Sequence, residues 1–223
     1  MSFQALSKQI AGCSKCSRLR NHCHEIAKEK RRAFKEQTYW GKPVSGFGDP
    51  HAKLMMVGLA PAAHGANRTG RVFTGDRSGE WLYRALFQTG FSNQPLSENK
   101  SDGLELNGAY VSCIVRCAPP GNKPTPKEIS QCRHYLETEI SFLSQVQVFI
   151  ALGQIAFHSL WKILEPLKPV PKFRHGVNIL LSQKKHLLLS YHPSQQNTFT
   201  GRLTQEMFLE RFETAKELIR AYF

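Results

Sequence analysis

Residues 146–164 read VQVFIALGQIAFHSLWKIL, and this stretch decides the fold class. The apolar run from Val146 to Leu152 has the length of a buried strand and is far shorter than the ~20 residues of a membrane span. Gly153 follows it at once, and an amphipathic helical pattern then continues to Leu164. A strand that passes directly into a helix is the repeating unit of an α/β protein with a parallel sheet.

The same alternation of strand and helix patterns recurs along the chain. Apolar runs that end in Gly or Pro predict strands, and periodic segments with capping residues predict helices. The pattern therefore indicates a mostly parallel sheet with helices on both faces. The predicted strands lie within 51–61, 108–120, 146–153 and 186–194, and the predicted helices within 78–91, 125–143, 154–164 and 204–223.

Two of these helices carry clear end signals. Ser78 is the predicted cap of the first helix, and Gly90 is its predicted stop. The second helix is predicted to begin at Thr125, with Pro126 in its first turn and Glu128 completing a capping box.

Length and composition favour one globular domain. The chain has 223 residues, of which 41% are hydrophobic and 10% aromatic. The first residues, MSFQALSKQIAGCSKC, lack the basic start and apolar centre of a secretion signal. We predict a cytoplasmic location and no membrane partner.

A strongly basic charge balance points to a polyanionic partner. The formal net charge is +13. Residues 15–42 concentrate Lys and Arg around the sequence KEKRRAFKEQ. Basic side chains placed near phosphates release condensed counterions, so nucleic acid is the predicted partner. Solubility alone is the alternative explanation.

Six cysteines raise the question of metal ligation. Cys13 and Cys16 form a CxxC pair, while Cys117 and Cys132 are separated by fourteen residues. Four thiolates suit either zinc or an iron–sulfur cluster, and spacing does not choose between them. The alternative is that the cysteines are small buried apolar residues. The remaining two, Cys23 and Cys113, are interpreted as structural.

The segment 58–76, GLAPAAHGANRTGRVFTGD, is predicted to be a ligand-binding loop. Its residues 65–70 match the start of a Walker A loop, but Arg71 and Val72 replace the required Lys and Ser/Thr, so a nucleotidase is disfavoured. Phe73 offers an exposed ring for stacking on a base, and Asp76 offers a carboxylate. Core packing of Phe73 and helix capping by Asp76 are the structural alternatives.

His192 follows a strand directly in SYHPSQQNTFTGRLT, residues 190–204. An imidazole there could stabilise developing negative charge; a turn histidine bonded to backbone is the alternative. Ligands of such sheets bind beyond the carboxyl ends of the strands. The segments 58–76, 113–125, Gly153 and 192–202 are therefore expected to converge on one edge.

These motifs together resemble the uracil-DNA glycosylase superfamily, and its family 5, the type B enzymes, most closely. GLAPAAHGANRTGRVFTGD is similar to that family's first motif, and HPSQQNTFTGRLT to its second. RCAPPGNKPTPKEISQC looks like the segment that carries cluster cysteines and an Asn. With the CxxC pair, the resemblance extends from residue 13 to residue 204.

The resemblance implies a fold, a cofactor and an activity. The fold is one domain over residues 1–223, a three-layer α/β/α arrangement with a central four-stranded, mostly parallel sheet. The cofactor is a [4Fe-4S] cluster that ties a basic N-terminal arm, about residues 13–42, to the body. The activity is hydrolytic excision of uracil, and of other deaminated bases such as hypoxanthine, after the base is flipped out of DNA. Damaged duplex or single-stranded DNA is the partner, and a monomer is the default.

The resemblance also implies residue roles. Asp76, Asn122 and His192 take the catalytic positions, and Phe73 stacks on the flipped base. The residues of the AAH segment, 62–64, line the water and sugar side, and residues 194–202 approach the duplex. The substrate-binding set is Gly58, Ala60, Ala62, Ala63, His64, Phe73, Ser194, Asn197 and Arg202, and the cluster ligands are Cys13, Cys16, Cys117 and Cys132.

One departure separates the chain from the related family 4. Cys113 stands where family 4 carries an Asn that reads uracil, and GLAPA replaces GEAPG. The strict uracil reader is therefore absent, which fits a broader range of bases. A nucleic-acid-binding protein without chemistry is the alternative function, but it leaves Asp76 and His192 without a role.

Overall fold

A six-stranded sheet forms the centre of the protein, and the computed structural model describes residues 2–221. The strand order is β1-β3-β2-β4-β6-β5. The four inner strands are parallel, and the edge strands β1 and β5 pair antiparallel to them. The strands are β1 Phe47–Gly48, β2 Leu54–Gly58, β3 Ala109–Cys113, β4 Val148–Leu152, β5 Asn178–Leu180 and β6 His186–Ser190.

Helices cover both faces of this sheet, so the three-layer α/β/α prediction is confirmed. The predicted four-stranded sheet corresponds to the inner parallel strands. The edge strands have only two and three residues, too short to show a period in the sequence. The helices are α1 Phe3–Ala11, α2 Ser17–Glu29, α3 Ala66–Thr69, α4 Arg77–Thr89, α5 Pro126–Phe142, α6 Gln154–Leu164, α7 Gln195–Phe199 and α8 Gln205–Arg220.

Alternate residues of each inner strand enter two separate cores. Met56 and Ile150 face the core formed with α4 and α8, whereas Met55 and Phe149 face the core formed with α5 and α6. All five residues of β2 are buried, as expected for a parallel strand covered on both faces. This double burial explains why the strands appear as continuous apolar runs.

The helix boundaries match the sequence prediction with one correction. Thr125 caps α5 and Glu128 completes the capping box, as predicted. Gly90 ends α4 in a left-handed conformation. The cap of α4 is Asp76, however, and not Ser78, because the Asp76 carboxylate accepts the Gly79 N–H. The predicted terminal helix is confirmed as far as Arg220, and the final residues 222–223 lie outside the described residues.

The N-terminal region contains two helices that the sequence did not predict, α1 before the arm and α2 within it. α1 packs against α5, and α2 lies against the short α3. Arg18 of α2 also pairs with Glu128 of α5, so the arm contacts both the cysteine-bearing helix and the loop that follows β2. Within residues 2–221, no helix is long and apolar enough to cross a membrane.

Candidate active site

The carboxyl ends of the four inner strands bring the predicted segments to one edge. Ile114 N donates to Gly58 O at 2.9 Å, which joins the residues that follow β3 to the end of β2. Gly153, after β4, donates its N–H to Ser190 O at 2.8 Å. The backbone of Gly153 also lies against His192. The expected convergence of these segments is therefore observed.

Asp76 combines a helix cap with a partly buried carboxyl group. Its Oδ1 accepts a hydrogen bond from Gly79 N at 3.0 Å. Burial raises the pKa of Asp76, and the hydrogen bonds from Gly79 and Ser78 and the charge of Arg68 only partly oppose this rise. Helix capping, the structural alternative for Asp76, is thus observed. It places the carboxyl in a setting where its charged form is costly.

Gly65 provides the space for this carboxyl. A side chain at position 65 would overlap with Asp76 Oδ2, because the backbone and the carboxyl are in direct contact. The first turn of α3 begins at Ala66, so the glycine joins the AAH segment to that helix. Gly65 therefore allows the loop backbone to approach the carboxyl that was predicted to be catalytic.

The Phe73 ring is buried, which corrects the prediction of an exposed ring. Only 6% of Phe73 is exposed, and it packs in the core shared with α4 and α8. The ring lies against Gly58, where an added Cβ would come 2.6 Å from Phe73 Cζ. Its other neighbour is His192, with ring centroids 5.9 Å apart and ring planes 28° apart. Phe73 and His192 thus share one neighbourhood.

His192 is held as a neutral imidazole by its surroundings. Burial lowers its pKa to about 4, because a charged ring would lose its hydration. The loop that carries it is fixed by Asn197, whose Nδ2 donates to His192 O at 2.8 Å. Ser194 begins the next helix and its side chain accepts the Asn197 N–H. The predicted roles of Asn197 and Ser194 at DNA therefore coexist with a structural one.

A cavity of about 360 Å³ opens beside His192. Arg202 is exposed there, and its guanidinium lies 4.5 Å from the centroid of the Tyr191 ring. Phe173 forms part of the same wall. A cation beside aromatic rings at the rim of a cavity suits contact with a nucleic-acid backbone or base.

The AAH segment is held by side chains that the sequence analysis did not single out. Tyr39 places its hydroxyl 3.0 Å from His64 Nδ1. Arg68 donates from Nε to His64 O at 2.7 Å and from Nη2 to Gly75 O at 2.9 Å. Its guanidinium also stacks 3.9 Å from the centroid of the Phe34 ring. Arg68 therefore joins the basic arm to both sides of the catalytic loop.

The remaining members of the predicted substrate set occupy the same loop. Ala62 O accepts the N–H groups of Gly65 and Asn67, which closes the turn before α3. Ala63 packs against the segment that begins at Cys117, and Ala60 packs against the core below α5 and α6. These alanines shape the loop backbone.

Asn122 lies apart from these contacts. It is exposed in a turn after Pro119, and its φ of +58° is in the left-handed region. Among the contacts described for residues 2–221, none joins its side chain to Asp76, Phe73 or His192. Its catalytic role therefore stays a prediction.

Arg71 is buried and structural, in agreement with the failed Walker A match. It donates to Ser97 Oγ at 2.7 Å and forms an ion pair with Asp102 at 2.5 Å. Only 4% of Arg71 is exposed. Its charge therefore orders the loop that follows and is unavailable to a phosphate.

The four predicted ligand cysteines line one cavity. Cys13 and Cys16 come from the arm, Cys117 from the segment after β3, and Cys132 from α5. All four are free thiols. Burial raises the pKa of Cys132 to about 12. Across residues 2–221, no group of three His, Cys, Asp or Glu side chains is arranged to hold a single metal ion.

The two other cysteines are not among the residues that line this cavity. Cys23 packs against Cys117 and donates to Ala118 O at 3.6 Å. Cys113 is buried at the end of β3, where it approaches Gly58 beneath the Phe73 ring. Both agree with the structural interpretation, and Cys113 shares its approach to Gly58 with the Phe73 ring.

Comparison with known proteins decides the family. The Uracil DNA glycosylase superfamily matches residues 45–216. The chain belongs to the uracil-DNA glycosylase superfamily. It is 48% identical to a type-5 uracil-DNA glycosylase of Thermus thermophilus over 98% of this chain and 99% of the relative. It is 49% identical to a type-5 enzyme of Mycobacterium leprae over 97% of this chain and 96% of the relative.

The type-4 relatives are more distant. The type-4 uracil-DNA glycosylase of Thermotoga maritima is 28% identical over 79% of this chain and 83% of its own length. The resemblance to the type-5 branch that the motifs indicated is therefore confirmed. The roles of Asp76, Phe73 and His192 stay predictions from sequence motifs, whereas Tyr39 and Arg68 carried no signal in the sequence beyond their residue type.

Proposed function

We propose that the chain is a DNA repair glycosylase that flips uracil, and other deaminated bases such as hypoxanthine, out of DNA and hydrolyses the bond to the sugar. The observation that carries this proposal is the shared neighbourhood of an aromatic ring, a carboxyl and a neutral imidazole. Phe73 contacts His192. Gly79, whose N–H donates to Asp76 Oδ1, lies against the Phe73 carbonyl. A base inside a duplex is unreachable, so the nucleotide must leave the stack.

Hydrolysis needs two kinds of charge stabilisation. The oxygen of water bonds to C1′ while the bond from C1′ to the base nitrogen breaks, and the base leaves with the bonding electron pair. Asp76 faces the positive sugar and orients the water, whose proton passes to the carboxylate or to solvent. The base anion takes its proton from solvent.

His192 acts on the base side of the reaction. Because burial lowers its pKa to about 4, the ring is neutral near physiological pH and carries one N–H donor. That N–H stabilises the oxygen on which the negative charge of the leaving base develops. Asn122 reaches the substrate from its exposed turn only when DNA is bound.

Selection and binding of DNA use the rest of the site. Cys113 lies at the end of β3, beside Gly58, and offers no amide to read uracil. This supports tolerance of several deaminated bases. Exposed basic residues of the arm, such as Arg31 and Arg32, hold the DNA backbone. We also propose a monomer, and a cytoplasmic location remains a prediction.

We also propose a [4Fe-4S] cluster on Cys13, Cys16, Cys117 and Cys132. The residues fit this group, because four free thiols from three separate segments line one cavity. When bound, the cluster supplies a cross-link between arm and body rather than a step in hydrolysis. Measurement of iron and acid-labile sulfide in protein purified without oxygen tests this.

The decisive experiment is excision from otherwise identical DNA containing uracil, hypoxanthine or thymine. Duplex and single-stranded forms are compared, and alkali then cleaves any abasic sites. We expect uracil and hypoxanthine to be removed and thymine to be retained. Folded protein that binds these DNAs but leaves every base in place would instead support the non-catalytic alternative. Removal of uracil alone would contradict the broader range.

A further inference from the structure

Two arginines that line the cysteine cavity each carry a buried N–H group without a partner. Among the described residues, Arg20 Nη1 and Arg116 Nε are buried and have no hydrogen-bond partner. Both side chains line the cavity of the four cysteines. A buried donor that is left unpaired costs about 1–3 kcal/mol, so each such group in a native protein requires an explanation.

The other donors of Arg116 hold its side chain in place. Nη1 donates to Ser112 Oγ and Nη2 to Glu139 Oε2, both at 2.7 Å. The side chains of Arg116 and Glu139 are each only 1% exposed. The guanidinium therefore cannot turn Nε towards another acceptor without breaking a buried ion pair.

Arg20, in α2, is also held in place by the contacts of its other nitrogen atoms. Its Nη2 donates to Gly41 O at 3.0 Å and lies 2.7 Å from His24 Nε2. Arg20 lines the same small cavity as Cys16 and Cys117.

We infer that Arg20 and Arg116 donate hydrogen bonds from these N–H groups to the sulfur atoms of the bound cluster. This inference rests on the proposed cluster. Four thiolates and a buried cluster concentrate negative charge, and two guanidinium groups at the wall offset it. Hydrogen bonds to sulfur stabilise the reduced cluster, so they raise its reduction potential and slow its loss.

The experiment uses the full-length protein purified without oxygen. In Arg20→Met, we expect iron to be lost to a chelator about tenfold faster, by analogy with outer-shell partners of metal sites. We also expect a more negative midpoint potential, measured by titration of the visible absorbance. Arg133→Met is the matched control, because Arg133 adjoins Cys132 but pairs with Glu137 at the surface.

Arg116→Met alone would leave the buried Glu139 carboxylate without its ion-pair partner, so it is combined with Glu139→Gln. We expect this double variant, where it folds, to shift the potential in the same direction. If Arg20→Met and Arg133→Met lose iron at the same rate and keep the wild-type potential, the inference is overturned while the cluster stands. Wild-type protein without iron and sulfide would overturn the cluster proposal itself, and the inference with it.

Discussion

The carboxyl of Asp76 rests directly on the backbone of Gly65, so that any side chain at position 65 would occupy the place of Asp76 Oδ2. Gly65 lies eleven residues before Asp76, on the far side of α3. The loop therefore closes on itself around the carboxyl. The geometry of the candidate catalytic group depends on a residue that has no side chain.

Gly65→Ala should displace the Asp76 carboxyl without unfolding the protein. We expect single-turnover excision of uracil to fall by about 10²-fold or more, since small displacements of a positioned group are costly. Gly12→Ala is the control, because a Cβ there meets its nearest neighbour at an ordinary 3.6 Å. Normal excision by Gly65→Ala with an unchanged melting temperature would contradict this geometry.

Asp76→Asn should separate catalysis from helix capping. Asn caps a helix about as well as Asp, so α4 should persist, whereas the carboxylate needed at the sugar is lost. We expect single-turnover excision to fall by about 10²–10³-fold. Circular dichroism confirms the fold of the variant, and full activity would remove Asp76 from the proposed mechanism.

The same substitution should change how stability depends on pH. Burial raises the pKa of Asp76 above 3.8, so the folded chain keeps a proton that the unfolded chain releases. The free energy of unfolding of the wild type therefore falls as the pH rises from 3.8 through the raised pKa of Asp76. We expect Asp76→Asn to melt at a higher temperature than the wild type near neutral pH, with the difference vanishing in acid. Equal curves at every pH would refute the raised pKa.

His192→Asn should lower the rate of excision without shifting the pH at which that rate declines in acid. Burial lowers the pKa of His192 from 6.5 to about 4, so the ring is already neutral where the enzyme works. We expect a loss of about 10²-fold in single-turnover rate, from the removed donor. His51→Asn, at the opposite end of β2, is the control. A shift of the pH at which the rate declines in His192→Asn would show that the imidazole titrates during catalysis.

The neutral imidazole also makes a prediction for stability. A histidine with a depressed pKa favours the folded state above about pH 6.5, and this contribution is lost as pH falls towards about 4. The melting temperature of His192→Asn should therefore depend less on pH in this window than that of the wild type. Thermal melting across the window provides the measurement.

Cys117→Ser should remove iron and reduce soluble yield, because the arm loses its link to the body. Cys23→Ala is the matched control, since Cys23 contacts Cys117 but is predicted not to be a ligand. We expect the control to retain iron, sulfide and the brown colour. Loss of iron from both variants to the same extent would contradict the assignment of ligands.

The inner strands and long helices were predictable because their signals are local. A buried parallel strand requires a continuous apolar run, and α5 shows its cap, proline and acid within four residues. The two edge strands lacked such signals, whereas α1 carries a Ser2 cap that the prediction overlooked. Edge strands of two or three residues are defined by pairing with a neighbour, and that neighbour is distant in the sequence.

The candidate site was predictable in part. Asp76, Phe73 and His192 were found because each follows a glycine loop or a strand, and sheets of this class bind ligands there. The environment of each group was not predictable. Phe73 was expected to be exposed, but the ring is buried because Gly58 leaves room for it beside the strand.

The amino-acid sequence by itself determined the α/β class, the basic arm, the four candidate ligand cysteines and the family, since these depend on residue type, period and order along the chain. Only the tertiary structure decided that Asp76 caps α4 against Gly65, that Arg68 joins the arm to the catalytic loop, and that Arg20 and Arg116 border the cysteine cavity. Burial and hydrogen-bond partners depend on which distant segments meet, and a linear pattern contains no measure of that distance.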